Sequence, residues 1–253
     1  MDILIHTLSG AAVASAFAGL VKENTSSRLK LILLGAFAGA LPDVDAISMW
    51  SGFDATFRQW FGLEETGREI YRGKHWYSHH AFLHSFLASI FFPGAIMVIY
   101  SGIKKRKPTP KMWMHALVFV AAFNAHLIGD LPTPNGSWEG IAFFYPMEQY
   151  IGGYGYTWWW NNYDIFILVL TCVMINVLSY FLIRKKNYFG TITLVVTFFL
   201  CCIQLGRRDF DFNSKEMNSS VKGDKSLELQ RKFLGDAVFD VMVRFDESLP
   251  VHF

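Results

Sequence analysis

The sequence predicts an all-α integral membrane protein: a bundle of about six transmembrane helices with a small extracytoplasmic C-terminal α/β appendage. The chain has 253 residues, of which 52% are hydrophobic and only 17% are charged, whereas ordinary globular domains carry about 25% charged residues. The charges are grouped between long apolar runs, and about 20 helical residues span a bilayer. A net charge of +2 is too small to indicate a nucleic-acid partner.

Six runs are long and apolar enough to cross or nearly cross a bilayer. The first is interpreted as a retained helix, because no basic residue precedes it and no clear processing site follows. The second contains Pro42, Asp43 and Asp45, which we expect to interrupt its helix. The runs cover residues 3–21, 29–50, 81–103, 112–131, 163–183 and 188–205.

Basic residues predict the orientation of these helices. They lie in the loops after the first, third and fifth runs, and a six-helix count puts these loops on one side. We expect that side to be cytoplasmic, so both termini and the loops 51–78 and 132–162 are predicted to lie outside. The basic residues are Lys22, Arg28, Lys30, Lys104, Lys105, Arg106, Lys107, Lys111, Arg184, Lys185 and Lys186.

The C-terminal part of the chain has no spanning run. We therefore predict a membrane domain over residues 1–205 and a soluble extracytoplasmic tail over residues 206–253. Residues 227–234 favour a short amphipathic helix. A half-buried strand is predicted where apolar residues alternate with more polar ones. The apolar positions of this strand are Phe239, Val241, Val243 and Phe245.

Ionisable residues in membrane helices are costly and usually face the protein interior. Here they are histidines and aspartates, and the predicted topology brings them to one level in the outer half of the membrane. His126 and Asp130 are four residues apart and share a helix face. Pro42 disturbs the second helix and aims a carboxylate at the cluster. The cluster contains His6, Asp43, Asp45, His79, His80, His84, His126 and Asp130.

Imidazole and carboxylate groups without a thiolate indicate a divalent metal, with Zn first and Mn or Fe as alternatives. The number of candidate ligands is enough for one or two ions. Asp43 is a ligand or a bridge, and Asp45 orients a ligand or acts as general base, so both are candidate catalytic residues. The candidate metal ligands are His6, Asp43, His79, His84, His126 and Asp130.

The same residues resemble the YdjM-like family of bacterial inner-membrane proteins, described as metal-dependent hydrolases. The resemblance covers roughly residues 1–165, and His80 stands where the family usually has Arg. More distantly, the order of His and Asp is similar to that of zinc-dependent phospholipases C, which implies hydrolysis of a phosphoester. The matching segments are His6, Leu41-Pro42-Asp43-Val44-Asp45, His79-His80-Ala81-Phe82-Leu83-His84-Ser85 and His126-Leu127-Ile128-Gly129-Asp130.

Together, these features predict a membrane-embedded metal-dependent hydrolase at the outer face of the bacterial inner membrane, acting through a metal-activated water. Its expected partners are membrane lipids and an amphipathic or lipid-like substrate. The Trp- and Tyr-rich loop 138–163 is either a wall over that substrate or an interfacial aromatic belt. Three alternatives stay open: a metal or proton transporter, a haem-binding membrane protein and a scaffold with a structural metal.

Overall fold

Six long helices dominate the computed structural model, which describes residues 3–21, 24–134, 136–155, 159–183, 187–212 and 219–248. All six are long and apolar enough to cross a membrane, the second of them together with the 3-10 helix that continues it to Met49, so the predicted all-α bundle is confirmed. Four residues of the orientation argument, Lys22, Arg184, Lys185 and Lys186, lie outside the described residues. The six helices are α1 (Ile3–Leu20), α2 (Thr25–Ala40), α5 (Phe86–Lys104), α6 (Pro110–Asp130), α7 (Tyr163–Leu182) and α8 (Phe189–Gly206).

Side-chain caps and prolines define where several helices begin and end. Asn24, Ser85 and Thr109 each accept a hydrogen bond from a backbone N–H in the first turn of α2, α5 and α6, respectively. Pro42 ends α2 as predicted, and the chain continues as a 3-10 helix, η1 (Leu41–Met49). Two short helices, α3 (Gln59–Phe61) and α4 (Gly67–Arg72), follow in the loop before α5.

Small residues let α1 and α2 approach each other closely. A Cβ atom added at Gly10 would lie 2.2 Å from the Gly35 carbonyl oxygen, and one added at Gly39 would lie 2.4 Å from the His6 carbonyl oxygen. Such small-residue contacts are typical of helix pairs in membranes. α1 also contacts α6, α7 and α8. It is therefore the central helix, and a residue near its start is surrounded by protein.

The outward faces of α5 and α8 are apolar and uncovered. On α5, Ile96, Val98 and Ile99 are exposed, and on α8 Phe198 and Ile203 are exposed. Lipid tails satisfy such faces, because they are as apolar as the side chains themselves. The fold is therefore that of a membrane bundle, with its polar groups turned inward.

A buried ion pair joins the end of α8 to the start of α7. Arg208 Nη2 lies 2.7 Å and 2.9 Å from the two carboxylate oxygens of Asp164, and Gln204 donates to the same carboxylate at 2.9 Å. Arg208 also donates to the side chain of Asn162. Both charged side chains are at most 3% exposed. Charged groups so deeply buried must be paired to be tolerated, so this contact fixes the two helix ends together.

The tail is helical, so the predicted strand at Phe239, Val241, Val243 and Phe245 is wrong. The tail consists of α9 (Ser219–Leu234), which includes the predicted helix 227–234, and α10 (Asp236–Glu247). Phe239 and Met242 are buried against Tyr163, whereas Val241 is 54% exposed. Phe239 and Met242 are three residues apart, so their burial follows the period of a helix and not the two-residue period of a strand. Among the described residues there are isolated β-bridges but no strand.

Candidate metal centre

Histidine and aspartate side chains from four parts of the chain meet at one end of the bundle, here called the site end. The histidines and Asp130 are buried, and Asp43 and Asp45 are partly buried; the exposed fraction of the side chain is above 5% only for Asp43, where it is 12%. The side chains are His6 from α1, Asp43 and Asp45 from η1, His84 from the 3-10 turn Phe82–His84, and His126 and Asp130 from α6.

The local sequence explains how these side chains reach the site. His126 and Asp130 lie one turn apart on α6, so they face the same neighbours. Pro42 opens η1, whose 3-10 geometry turns Asp43 toward α6. Ser85 begins α5 as its N-cap, which leaves His84 in the tight turn just before the helix. The third apolar run was predicted to be helical from residue 81, and the helix begins five residues later.

Four donor atoms converge, one each from His84, His126, Asp130 and Asp43, and we call these residues the donor quartet. The Nε2 atoms of His84 and His126 are 3.3 Å apart. Asp130 Oδ2 lies 3.1 Å from His126 Nε2 and 3.6 Å from His84 Nε2. Asp43 Oδ1 lies 3.5 Å from His84 Nε2 and 3.7 Å from His126 Nε2.

These five separations, which leave out the one between the two carboxylates, are close to those in a tetrahedral metal site. With metal–ligand bonds of about 2.0–2.1 Å, the donor atoms of a tetrahedral zinc site are about 3.3–3.4 Å apart. The five distances of the quartet fall on both sides of this value, from 3.1 to 3.7 Å. The two longest of them, 3.6 Å and 3.7 Å, are too long for direct hydrogen bonds. The quartet therefore has the size of a coordination shell.

The protonation pattern also fits a cation. His126 Nδ1 donates to the Gly39 carbonyl oxygen at 2.7 Å, so Nε2 is the nitrogen with the lone pair. That lone pair faces His84 Nε2 and a carboxylate oxygen, an arrangement that a bound cation would stabilise. Asp43 Oδ2 is buried with no hydrogen-bond partner in the described part of the chain. The residues present thus fit a divalent ion that binds nitrogen and oxygen, such as Zn, Mn or Fe.

His6, a predicted metal ligand, lies against the quartet. Its ring stacks on His126 with the centroids 3.6 Å apart, and its Nε2 lies 3.0 Å from Asp130 Oδ1. The other oxygen of Asp130 faces His84 and His126, so this carboxylate contacts both sets of histidines. His6, His126 and Asp130 form a further group whose donor atoms lie within 4.8 Å of one another.

A family model matches residues 1–209, and it is described as YdjM inner membrane protein. The chain belongs to this family. The match covers all six candidate spans and the whole donor quartet, and it ends before α9. No curated protein and no solved structure matches the chain. The family and the six apolar helices together identify a membrane protein of the YdjM family.

In this YdjM protein, Asp45 lies behind two histidines and outside the quartet. Its Oδ1 is 2.6 Å from His79 Nδ1, and its Oδ2 is 3.4 Å from His84 Nδ1. A carboxylate behind an imidazole fixes the ring and raises the basicity of the other nitrogen. Of the two predicted roles for Asp45, orienting a ligand is the one that this geometry favours.

His79 was predicted as a further ligand, and the structure places it beside the quartet. Its ring stacks on Tyr71 at 4.5 Å. His80 follows with its backbone in the left-handed region, at a φ of 65°, and its Nδ1 donates to the Gly140 carbonyl oxygen at 3.0 Å. His79, His80 and His84 form a separate group of donor atoms within 4.8 Å of one another.

Several groups around the YdjM site were missed by sequence reasoning. Tyr71 lies on α4, and burial, together with the nearby carboxylates of Asp43 and Asp45, raises the pKa of its hydroxyl above the ordinary value. Trp138 packs against His79 and His80. The sequence held no signal for Tyr71, or for the two carbonyl groups that hold histidines, because backbone contacts depend on the tertiary arrangement. For Trp138 the signal was its place at the start of the aromatic loop.

Proposed function

We propose that this YdjM protein is a metal-dependent hydrolase of the bacterial inner membrane that acts on a phosphoester or lipid-like substrate. The observation that carries the proposal is the donor quartet, in which two imidazole nitrogens and two carboxylate oxygens approach to 3.1–3.7 Å. Such donor sets are built at a cost inside a membrane protein, so they are usually functional.

The quartet would hold one divalent ion, with Zn expected first and Mn or Fe as alternatives. His6 would complete a second group around Asp130, which is compatible with one or two ions. When bound, the ion would lower the pKa of a water molecule and polarise a phosphoryl or acyl oxygen.

The chain's own residues would prepare the site in three ways. The Gly39 carbonyl holds the proton of His126 at Nδ1, which keeps the lone pair of Nε2 directed at the quartet. Asp45 orients His79 from behind, and it is also our candidate general base. Asp43 has the most exposed carboxylate of the quartet, so we expect substrate to approach from its side.

The proposed substrate class follows from where the site lies. The quartet is at the end of the spanning helices, where a bilayer presents its headgroups. Trp138 packs on the histidines, and the aromatic loop that it begins is our candidate wall for an amphipathic substrate. The basic residues between α5 and α6, at the opposite end of these helices, favour an orientation in which the site end and both termini are extracytoplasmic.

The decisive experiment measures turnover by the zinc-loaded protein in detergent micelles. The substrates are p-nitrophenyl phosphate, bis(p-nitrophenyl) phosphate and short-chain phosphatidylcholine. We expect one of them to be hydrolysed, and we expect Asp45→Asn to lower kcat by about 100-fold or more at saturating zinc. Asp240→Asn, at an exposed acid of α10, is the matched control and should retain full activity. Turnover that is unchanged in Asp45→Asn would refute the role of this residue.

A structural metal is the second candidate, because His6, His84 and His126 have 0% of their surface exposed. Structural zinc sites are closed by protein ligands, whereas catalytic sites keep an open position. This alternative predicts a protein that binds zinc tightly, hydrolyses none of the substrates and loses its helix packing when a chelator removes the metal. Hydrolysis that requires the metal would exclude it.

A further inference from the structure

We propose that His79, His80 and His84 form a second metal position, beside the donor quartet, that takes a transition-metal cation such as Zn²⁺. Because His84 Nε2 belongs to the quartet, His84 would serve both positions as a bridging imidazolate, binding the second ion through Nδ1 and releasing its ring proton. The inference deepens the proposed function and rests on it, since it turns the candidate hydrolase into a two-metal centre. His80, which is not one of the predicted ligands, would contribute one of the three ligand atoms of this position.

The three histidines are close together and shielded from water. Their donor atoms lie within 4.8 Å of one another. The ring centroids are 4.2 Å apart for His79 and His80, and 4.7 Å apart for each of the two pairs that include His84. The exposed fractions are 6%, 4% and 0% in chain order. Three imidazoles rarely share a dry pocket unless a charge or a metal joins them.

The hydrogen bonds of His79 and His80 leave the correct nitrogens for binding. Asp45 holds Nδ1 of His79 at 2.6 Å, and the Gly140 carbonyl oxygen holds Nδ1 of His80 at 3.0 Å. Each Nδ1 is therefore the protonated nitrogen, and each Nε2 keeps its lone pair. A metal-binding histidine almost always donates its second N–H in this way, to a carboxylate or to a backbone carbonyl.

The backbone of His80 is held in a conformation that needs support. Its φ of 65° lies in the left-handed region, which a residue other than glycine seldom adopts. The His80 carbonyl oxygen accepts a hydrogen bond from Ala142 N at 2.8 Å, and its ring packs on Trp138 at 4.4 Å. Residues held in such conformations are concentrated at functional sites. Here the conformation turns the His80 ring toward His79 and His84.

Two buried atoms beside the position lack the contacts that they need. Asp45 Oδ2 and His84 Nδ1 face each other at 3.4 Å, and neither has a hydrogen-bond partner within the described ranges. Buried polar atoms are nearly always satisfied, so an unsatisfied pair at the edge of a histidine group indicates an ion that supplies the missing interaction. This observation is independent of the ring geometry.

The donor set indicates which cations would bind. Imidazole suits Zn, Cu, Fe and Ni, whereas Mg and Ca prefer oxygen ligands. The present spread of up to 4.8 Å is wider than in a tetrahedral zinc site, so each donor would move inward by less than about 1 Å on binding. We therefore expect Zn²⁺ to occupy this position and Mg²⁺ to leave it empty.

The test counts zinc ions on the full-length protein in detergent, by titration with Zn²⁺ alone and mass spectrometry of the washed protein. Wild type is expected to bind two equivalents and His80→Asn one. Asparagine tolerates the left-handed backbone and can still donate to the Gly140 carbonyl, so only the Nε2 ligand is lost. His75→Asn, at an exposed histidine that contacts Glu65, is the control and should keep both equivalents.

Three outcomes decide the inference. One equivalent in the wild type at saturating zinc would overturn it, and so would two equivalents in His80→Asn. A drop of one equivalent in His79→Phe, which keeps the stacking on Tyr71, would support it even if the first variant failed to fold. The count is independent of turnover, so a protein that loses one zinc through His80→Asn and hydrolyses no substrate would retain this inference and disprove the proposed function.

Discussion

Gly39 joins the packing of the first two helices to the metal centre. A Cβ atom at this position would lie 2.4 Å from the His6 carbonyl oxygen and 3.1 Å from Gly10 Cα. The Gly39 carbonyl oxygen itself accepts the hydrogen bond of His126 Nδ1 at 2.7 Å. Substitution Gly39→Ala therefore disturbs the site while every proposed metal ligand remains in the chain.

The size of the disturbance follows from these distances. Ordinary contact for a Cβ atom begins at 3.4 Å, so α1 and α2 must separate by about 1 Å in a tightly packed bundle. Metal sites tolerate errors of about 0.2 Å in ligand distances. Loss of a single contact behind a ligand costs about 10–100-fold in metal affinity. We expect Gly39→Ala to weaken zinc binding by at least about 10-fold.

The assay is competition for zinc between the purified protein and a chromogenic chelator. Gly94→Ala is the matched control, because Gly94 lies within α5 and a Cβ there would meet no atom within 4 Å. Helix content by circular dichroism checks that both variants insert and fold. Equal zinc affinity in wild type, Gly39→Ala and Gly94→Ala would refute the link between helix packing and the metal centre.

Two further predictions concern the rest of the bundle. Arg208→Ala leaves the Asp164 carboxylate buried without its partner and should destabilise the protein by about 3–5 kcal/mol. Arg207→Ala, at an exposed neighbour that lies over Phe233, should cost under about 1 kcal/mol. Unfolding in denaturant measures both losses of stability, and equal losses would argue against the buried ion pair. Met242→Asp should release the tail, seen as faster cleavage by protease, whereas Val241→Asp should not. Faster cleavage of Val241→Asp alone would support the strand that the sequence predicted for this segment.

Hydropathy predicted the six spanning helices because length and apolar composition are sufficient to identify a membrane helix. It did not predict that α5 begins at Phe86, since residues 81–85 are apolar enough to extend the run. Two local features stop the helix there: the left-handed backbone of His80 and the capping side chain of Ser85. Neither feature changes the hydropathy of the run.

The tail shows how short patterns mislead. Phe239, Val241 and Phe245 alternate with polar residues, but the alternation counted Met242 as a position on the polar face. Burial of Phe239 and Met242 against Tyr163 shows the helical period instead. The twelve residues of α10 have apolar side chains on the face that a strand would bury and on the face that the helix buries, so the sequence fits either pattern. Tertiary contact with α7 distinguishes them.

The candidate site could be predicted as far as side-chain spacing reaches. His126 and Asp130 share a helix face, and the break at Pro42 brings Asp43 to them, as expected. The separate place of His79 beside the quartet could not be predicted, because it depends on Asp45 and on the packing of Tyr71. Contacts between elements that are distant in sequence produce no periodic pattern in the amino-acid sequence.

The most direct test of the metal centre is the metal content of protein purified in detergent without chelators. Mass spectrometry would compare the wild type with Asp130→Ala, which removes a carboxylate of the quartet, and with Asp240→Ala, which removes an exposed acid of α10. We predict one or two equivalents of Zn, Mn or Fe in the wild type and in Asp240→Ala, and a loss of metal in Asp130→Ala. Wild-type protein without metal, or full metal retention in Asp130→Ala, would contradict the account and make the cluster a buried polar network.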